Sequence, residues 1–287
     1  MKTWLLAGIA LGSLVAPAVA AEVNVNAAQP TASLCQWCGF YIGGDVGVYG
    51  ARETATTNPF PSPGFGAPPI IGGTVSGLGN LPTSHKLDSS GAFGAIHYGY
   101  NWQANPTWLL GIEADIDFVS RAPTSNQTVF ETLTAAPGPA FNLSVSATNH
   151  YLVSLRGRLG WLVGPWMLYG TGGAAWTSTS YTATATGLVS GAVFLPGVTT
   201  NTSFNNSVST GWVAGAGIEW MLSRNWLVRA EYLHYDFSGS SGTLPLVFAA
   251  PFGSCAPGAC NWTVNSSGLA FDTGRVGLSY KFPGTQP

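Results

Sequence analysis

The chain has little charge and, beyond its N-terminus, no long run of apolar residues. Only 8% of its 287 residues are charged, against roughly 25% in ordinary soluble domains, which disfavours a soluble globular fold. After residue 20 no stretch reaches the ~18 continuous apolar residues of a transmembrane helix. The 38 glycines, with many Thr, Ser and Asn residues, also disfavour long helices. A closed β-barrel is the remaining structure that pairs every backbone group in lipid.

The first 20 residues have the pattern of a secretion signal. Lys2 provides the positive charge, residues 4–15 form the apolar core, and Ala18, Val19 and Ala20 form a small-residue cleavage site. We expect cleavage after Ala20, with Ala21 as the alternative. Residues 21–36 are expected to form a disordered periplasmic lead-in, and residues 283–287 a short C-terminal tail.

Apolar and polar residues alternate through the segments that remain. In residues 108–121, Leu110 and Ile112 stand on one parity and Glu113, Asp115 and Asp117 on the other. Alternation of this length is typical of β-strands and not of helices. Eight such segments occur, at residues 40–50, 92–103, 108–121, 151–163, 166–177, 210–220, 226–237 and 273–282. The sequence therefore predicts an all-β fold: an eight-stranded antiparallel up-and-down transmembrane β-barrel over residues 37–282. Parts of residues 181–193 are expected to extend the strands above the membrane, and ten strands are the alternative count.

Three short turns are each bracketed by a pair of tryptophans. Tryptophan is favoured where one end of the ring is apolar and the other is wet, as at a membrane surface. All six fall on the apolar parity of their strands. The sequence predicts that they form an aromatic girdle at one rim of the barrel: Trp102, Trp108, Trp161, Trp166, Trp220 and Trp226.

Most of the scarce charge falls on the opposite parity. A soluble β-sandwich with one wet face would also alternate, but its outer face would carry far more charge. Charges inside a filled barrel must be paired, because an unpaired buried charge is costly. We expect a network inside the barrel, together with the inward aromatics Tyr41, Tyr49, Phe93, Tyr169 and Tyr235. The expected network is Asp45, Glu113, Asp115, Asp117, Arg156, Arg158, Glu219, Arg229, Glu231, Arg275 and Lys281.

Seven short motifs resemble the alphaproteobacterial outer-membrane immunogenic proteins, a "porin family" with an OmpA-like barrel. They are WCGFYIGG (37–44), GYNW (99–102), GIEAD (111–115), RGRLG (156–160), LYGTGG (168–173), GAGIEW (215–220) and RAEY (229–232). The resemblance implies an outer-membrane location, with both termini and the tryptophan turns in the periplasm. The long connections, 52–90, 122–148, 182–208 and 238–268, would then be extracellular loops. It also implies that Tyr280 and Phe282 resemble the signal for the barrel-assembly machinery, although five further residues follow here.

Four cysteines fit an oxidising compartment. With the implied topology, Cys35 and Cys38 are periplasmic and Cys255 and Cys260 extracellular. A shared metal site is then geometrically impossible, so two local disulfides are expected.

Catalytic and cofactor motifs are weak. The segment from Gly170 to Ala175 matches a dinucleotide fingerprint, but no acid lies about twenty residues further on. The four histidines lack metal-ligand spacing, and His234, on the outward parity, shows no partnered serine or acid in the sequence. A net charge of −2 gives no indication of nucleic-acid binding.

We therefore expect a non-enzymatic protein, without cofactor or metal, that contacts outer-membrane lipid. Its expected role is envelope integrity and surface presentation. The alternatives are a small-solute diffusion channel, or a receptor or adhesin whose loops bind an unknown partner.

Overall fold

A computed structural model of the protein describes residues 35–58, 84–131, 138–190, 193–245 and 261–283. The expected signal segment, most of the lead-in, the last four residues and the Cys255–Cys260 pair lie outside the described residues. The described part contains eleven strands: β1 (Gly39–Asn58), β2 (Ser84–Lys86), β3 (Ser89–Gln103), β4 (Trp108–Arg121), β5 (Thr124–Glu131), β6 (Gly138–Val163), β7 (Trp166–Ser190), β8 (Val193–Met221), β9 (Trp226–Phe237), β10 (Ser241–Pro245) and β11 (Asn261–Lys281).

Eight of these strands close a ring. Their order is β1-β3-β4-β6-β7-β8-β9-β11, each neighbour is antiparallel, and β11 pairs back onto β1 from Lys281 opposite Tyr41 to Thr263 opposite Asn58. Strands β2, β5 and β10 pair only with the far ends of β1, β6 and β11 and do not widen the ring. The predicted eight-stranded antiparallel barrel is confirmed, and in the described residues the ten-stranded alternative is wrong.

Several strands continue into segments expected to be loops. β7 and β8 stay paired from Trp166 opposite Trp220 up to Ser190 opposite Val193, and β5 pairs with the beginning of β6. The expectation of loops is therefore wrong for residues 124–131, 138–148 and 194–208, whereas the expected extension of the strands within residues 181–193 is confirmed up to Ser190. Residues 182–186 of β7 alternate threonine with alanine instead of with a large apolar residue. Their backbones pair as well as those of apolar strands, because threonine favours the extended conformation.

The outward face of the ring is an apolar belt. Ile112, Leu155 and Leu278 are each about half exposed there. The pleat points alternate side chains outward, and in a membrane barrel these contact lipid. At the far end of the belt, beyond Val48 and Trp212, the outward positions include the polar residues Arg52 and Thr210 beside Val208. No helix of the described segments has the length and apolar character needed to span a membrane.

Aromatic rings edge the belt at the end where the tryptophan turns lie. All six predicted tryptophans point outward and are 36–46% exposed. Trp166 stacks on Trp220 with ring centroids 5.7 Å apart, and Trp226 packs against Tyr280 at 5.3 Å. Tyr280 also contacts Phe282 at 5.1 Å. The two aromatics of the proposed assembly signal thus continue the tryptophan girdle across the seam where the ring closes.

The parity of β4 can be tested by placing a charge on the belt. Ile112→Arg is expected to destabilise the refolded barrel by about 2–4 kcal/mol, because the charge would face the middle of the bilayer. Unfolding in urea, followed in lipid vesicles by the gel mobility of unboiled samples, measures this loss. The matched control is Thr107→Arg in an exposed turn, which should cost far less. Equal effects at the two sites would contradict the assigned parity.

Candidate functional site: the barrel interior

The eleven predicted interior charges all lie inside the ring. None of them is more than 4% exposed. The five inward aromatics predicted with them are also buried, at 6% or less. Ten of the eleven charges meet in one network across the lumen.

Glu113 on β4 is the centre of this network. Its carboxylate accepts hydrogen bonds from Arg156 (Nη2–Oε1, 2.5 Å), Arg158 (Nη1–Oε2, 3.2 Å) and Arg229 (Nη1–Oε2, 2.8 Å). Arg156 is directly opposite Glu113 in the β4–β6 register. Arg229 comes from β9, on the other side of the ring. The lumen is therefore narrow enough for side chains of opposite walls to meet.

Arg275 and Glu231 carry the network towards the far end of the barrel. Glu231 accepts from Nη1 of Arg156 at 2.9 Å and from Nε of Arg275 at 2.8 Å. Arg275 also reaches Asp117 across the lumen, at 2.9 Å. Asp115 accepts from Nη2 of Arg156 at 2.8 Å. Each of these arginines bridges at least two acids, so no pair in the network is independent.

Arg158 closes the network at the end near the tryptophan turns. It binds Glu219 at 2.6 Å, and its guanidinium lies 4.2 Å from the ring centroid of Tyr169 and 5.5 Å from that of Tyr41. Cation–π contacts of this kind contribute ~0.5–2 kcal/mol each. The predicted inward tyrosines therefore hold a charge as well as filling space.

Acids outnumber arginines in the network, and neutral donors make up the difference. Tyr41 donates to Glu113 at 2.7 Å, and Tyr235 donates to Asp117 at 3.0 Å. A carboxylate has about four acceptor positions, so hydroxyl groups can satisfy those that the arginines leave.

Lys281 departs from the predicted grouping. It is buried, but its Nζ donates to the backbone oxygen of Cys38 at 3.5 Å, and no ion pair joins it to an acid in the described residues. Its place at the end of β11, nearest the tryptophan turns, puts it beyond the reach of the carboxylates. Its inclusion in the network was wrong.

Two inward glycines make room for the charged side chains. A Cβ at Gly277 would collide with the Asp45 carboxylate, and one at Gly43 would collide with the His97 ring. Both lie opposite the residue that they accommodate in the β1–β11 or β1–β3 register. Glycine is required here by close approach and not by backbone conformation.

Apolar side chains close the lumen on both sides of the network. Near the tryptophan turns, Trp37 packs in one cluster with Leu109, Leu162, Met167, Tyr169, Met221 and Leu227. On the other side, residues from all eight ring strands form a second cluster, which includes Tyr49, Phe93, Leu152, Val213, Tyr235, Phe237 and Phe271. Along β4, β6, β8 and β9 the order is first cluster, charges, second cluster.

A second polar cluster, which the sequence did not indicate, lies beyond the aromatic layer. Glu53 accepts from Nη2 of Arg121 at 2.8 Å and from the Ser266 hydroxyl at 2.8 Å, and it also binds the Tyr181 hydroxyl. Arg121 further donates to Asn149 at 2.8 Å. Glu53 was missed because it was assigned to a loop. The extension of β1 to Asn58, with its alternating parity, is the signal that would have placed it.

Three interior residues have the connectivity of a catalytic triad. His97 bonds Asp45 through Nδ1 at 2.7 Å and Ser279 through Nε2 at 2.7 Å. None of the three side chains is more than 4% exposed, and Asp45 is also held by Arg229 at 2.7 Å. A nucleophile needs an accessible position beside it for a substrate atom, whereas all three side chains here are buried. The arrangement is therefore a hydrogen-bond chain of the interior.

His234 on the outer wall has an acidic partner after all. Asp272, its neighbour in the β9–β11 register, accepts from His234 Nδ1 at 2.8 Å, from the Tyr232 hydroxyl at 2.6 Å and from Arg52 at 3.3 Å. The sequence-based statement that His234 lacks a partnered acid was wrong, because the partner is 38 residues away and only strand pairing brings it near. This cluster lies at the far edge of the apolar belt.

The first pair of cysteines lies at the mouth near the tryptophan turns. The structure joins the Sγ atoms of Cys35 and Cys38, whose Cα atoms are 5.3 Å apart. In the described residues, no group of three or more His, Cys, Asp or Glu side chains is arranged to hold a metal ion.

Comparison with known proteins agrees with this architecture. The sequence matches the profile of the outer membrane protein beta-barrel domain family over residues 10–282. It is 27% identical to the 31 kDa outer-membrane immunogenic protein of Brucella melitensis biotype 1, covering 98% of this chain and all of that protein. It is 25% identical to a 22 kDa outer membrane protein of Rhizobium leguminosarum bv. viciae, covering 50% of this chain and 52% of that one. Among solved structures, the outer membrane protein OprG of Pseudomonas aeruginosa aligns at 12% identity and a TM-score of 0.36, covering 86% of this chain and 97% of that one. The chain belongs to the outer-membrane β-barrel protein family and resembles its alphaproteobacterial immunogenic members.

Proposed function

We propose that the protein is a closed, non-enzymatic barrel that contributes to the integrity of the outer membrane and presents its long hairpins at the cell surface. The observation that carries the proposal is the filled interior, in which two apolar clusters enclose a continuous ion-pair network. Eight strands leave an interior just wide enough for side chains to fill. An aqueous channel for solutes usually needs about sixteen strands, so a diffusion channel is disfavoured.

The non-enzymatic assignment is supported by the two histidine clusters. Ser279, the nucleophile that bonds His97 in the described residues, is 1% exposed inside the barrel. On the outer wall, the hydrogen bonds of His234 and Asp272 in the described residues join histidine, tyrosine and acid, with no serine among them.

Surface presentation is supported by the height of the β7–β8 hairpin. β7 has 25 residues, which at about 3.3 Å a residue and a tilt near 40° would rise roughly 60 Å. The lipid-facing belt of a bacterial barrel is only about 25 Å tall. More than half of the hairpin therefore stands beyond the membrane, on the side opposite the tryptophan turns. We assign the turns and both termini to the periplasm and the hairpin to the cell surface.

Planar-bilayer recordings test the closed interior. The oxidised wild-type protein should show either no conductance or rare small openings. The variant Arg156→Ala with Arg158→Ala should leak more, and adding Phe237→Ala and Phe271→Ala should increase the leak further, because the aromatic layer is a second barrier. Gel mobility of unboiled samples serves as the folding control. Sustained wild-type openings that pass sugars would overturn the proposal in favour of a channel.

The network should also contribute strongly to stability. Arg229→Met leaves Asp45 and Glu113 short of a partner and should cost about 3–5 kcal/mol, as when one member of a buried pair is removed. Arg224→Met, in an exposed turn, is the matched control and should be nearly neutral. Urea unfolding in vesicles gives both values. A neutral Arg229→Met variant would mean that the network does not hold the barrel together.

A genetic test separates the role of the barrel from that of its hairpin. A strain lacking the protein should become sensitive to detergents and large antibiotics. A trimmed protein, with residues 183–202 replaced by a two-residue turn after the Thr182–Ser203 pair, should restore resistance if the barrel carries the role. If the trimmed protein inserts correctly but does not restore resistance, while the wild-type protein does, the receptor or adhesin alternative is favoured.

A further inference from the structure

Trp37 spans the mouth of the barrel near the tryptophan turns. Its side chain is 2% exposed, and the cluster around it draws residues from β4, β6, β7, β8 and β9. Trp37 itself precedes β1, which lies on the opposite side of the ring. The indole therefore crosses the mouth from one wall to the other and covers the ion-pair network beneath it.

The segment that holds Trp37 is fixed at its two ends. The structure joins Cys35 to Cys38, which closes a ring around Gln36 and Trp37. Cys38 is anchored by two neighbouring strands: the backbone N–H of Gln103 donates to its Sγ at 3.3 Å, and Lys281 donates to its carbonyl at 3.5 Å. Gly39 then turns the chain into β1 with a φ of 116°, a conformation that suits glycine. Within the part of the chain that the structure describes, the bond between the cysteines is the one covalent restraint on the Trp37 loop apart from the chain itself.

The two sulfurs differ in exposure and in surroundings. Cys35 is partly exposed, whereas Cys38 is 2% exposed. An attacking thiolate can therefore approach Cys35, which makes Cys38 the leaving group. A donated N–H and a nearby ammonium group favour a thiolate over a thiol, and a stabilised thiolate leaves faster. The Oε1 atom of Gln103, 3.0 Å from Cys35 Sγ, is placed to accept a hydrogen bond from the thiol formed on reduction.

We propose that the Cys35–Cys38 bond is an exchange site for a protein dithiol and acts as the latch of the Trp37 plug. A partner thiolate attacks Cys35 Sγ, the Cys35–Cys38 bond breaks, and Cys38 leaves as a thiolate that takes up a proton. The second thiol of the partner then attacks the partner's sulfur in the mixed disulfide. This forms the partner's disulfide and releases Cys35. The partner is oxidised to a disulfide, and this chain gains two electrons and two protons. The loop, no longer cross-linked, releases Trp37 from the mouth.

The proposal rests on the closed barrel proposed above, and the methionines provide an independent readout. Once the signal segment is removed, the chain contains only Met167 and Met221, and both lie in the Trp37 cluster, at 0% and 7% exposed. Their oxidation by peroxide therefore reports whether the plug is seated. Conductance is not needed for this measurement.

The experiment uses the folded protein in detergent, with Cys255→Ser and Cys260→Ser so that only one pair can react. Dithiothreitol, followed by alkylation and mass mapping, should label Cys35 and Cys38 while the barrel keeps its unboiled gel mobility. Peroxide should then oxidise Met167 and Met221 at least about tenfold faster than it does in the protein with the bond intact. An increase of this order is expected when the cross-link of a short loop is removed. Trp37→Ala should oxidise fast in both redox states.

Each result decides a separate part of the proposal. The latch would be overturned if the bond resists dithiothreitol in the folded protein. It would also be overturned if the bond is reduced and the methionines are not oxidised faster. Thioredoxin lacking its resolving cysteine should be trapped on Cys35, and its failure to form any mixed disulfide there would overturn the protein-dithiol assignment. If the oxidised protein passes sugars, the closed-barrel function fails, whatever the methionines show.

Discussion

The constraint on which the rest of the structure depends is that no backbone polar group can be left unpaired in lipid. It forces the last strand back onto the first, and β11 meets β1 over most of their lengths. Once eight strands close, the diameter is fixed, and so is the volume that inward side chains must fill. The inward tyrosines and arginines fill that volume, and the inward glycines leave room for them. Gly277 leaves room for Asp45, and Tyr169 receives the Arg158 guanidinium.

A charged interior also fixes the register of the strands. Because side chains alternate across a sheet, a slip of one residue would move Glu113, Asp115 and Asp117 into lipid and their apolar neighbours into the lumen. The network therefore distinguishes the two faces of each strand more sharply than an apolar interior would. Its stability depends on each charge keeping an oppositely charged partner, since a buried ion pair gains little over apolar packing but is costly to break. The hydroxyl donors of Tyr41 and Tyr235 belong to that pairing as much as the arginines do.

The apolar layers have a different role from the network. Ion pairs leave polar atoms that water can approach, whereas the clusters around Trp37 and Phe271 exclude it. The second polar cluster, around Glu53 and Arg121, lies beyond the aromatic layer and ties β1, β4, β7 and β11 together where the ring continues past the membrane. Alternation of polar and apolar layers makes the register of the barrel specific, and it is the basis of the closed interior proposed above.

The sequence by itself determined the parity of the strands, and with it the strand count, the lipid-facing tryptophans and the inward charges. These are local properties, because a period of two and a Trp-bracketed turn are visible within a dozen residues. It failed at strand segments that it assigned to long loops, as at β5 and the beginnings of β6 and β8, and for the same reason it missed Glu53 in the extension of β1. Only the closed ring decided which residues meet. Arg229 reaches Glu113 across the lumen, Asp272 meets His234 in the register of two strands, and Trp37 packs against the far wall. The physical reason is that these contacts are set by the diameter of the barrel and by pairing between distant segments, and no local pattern records either.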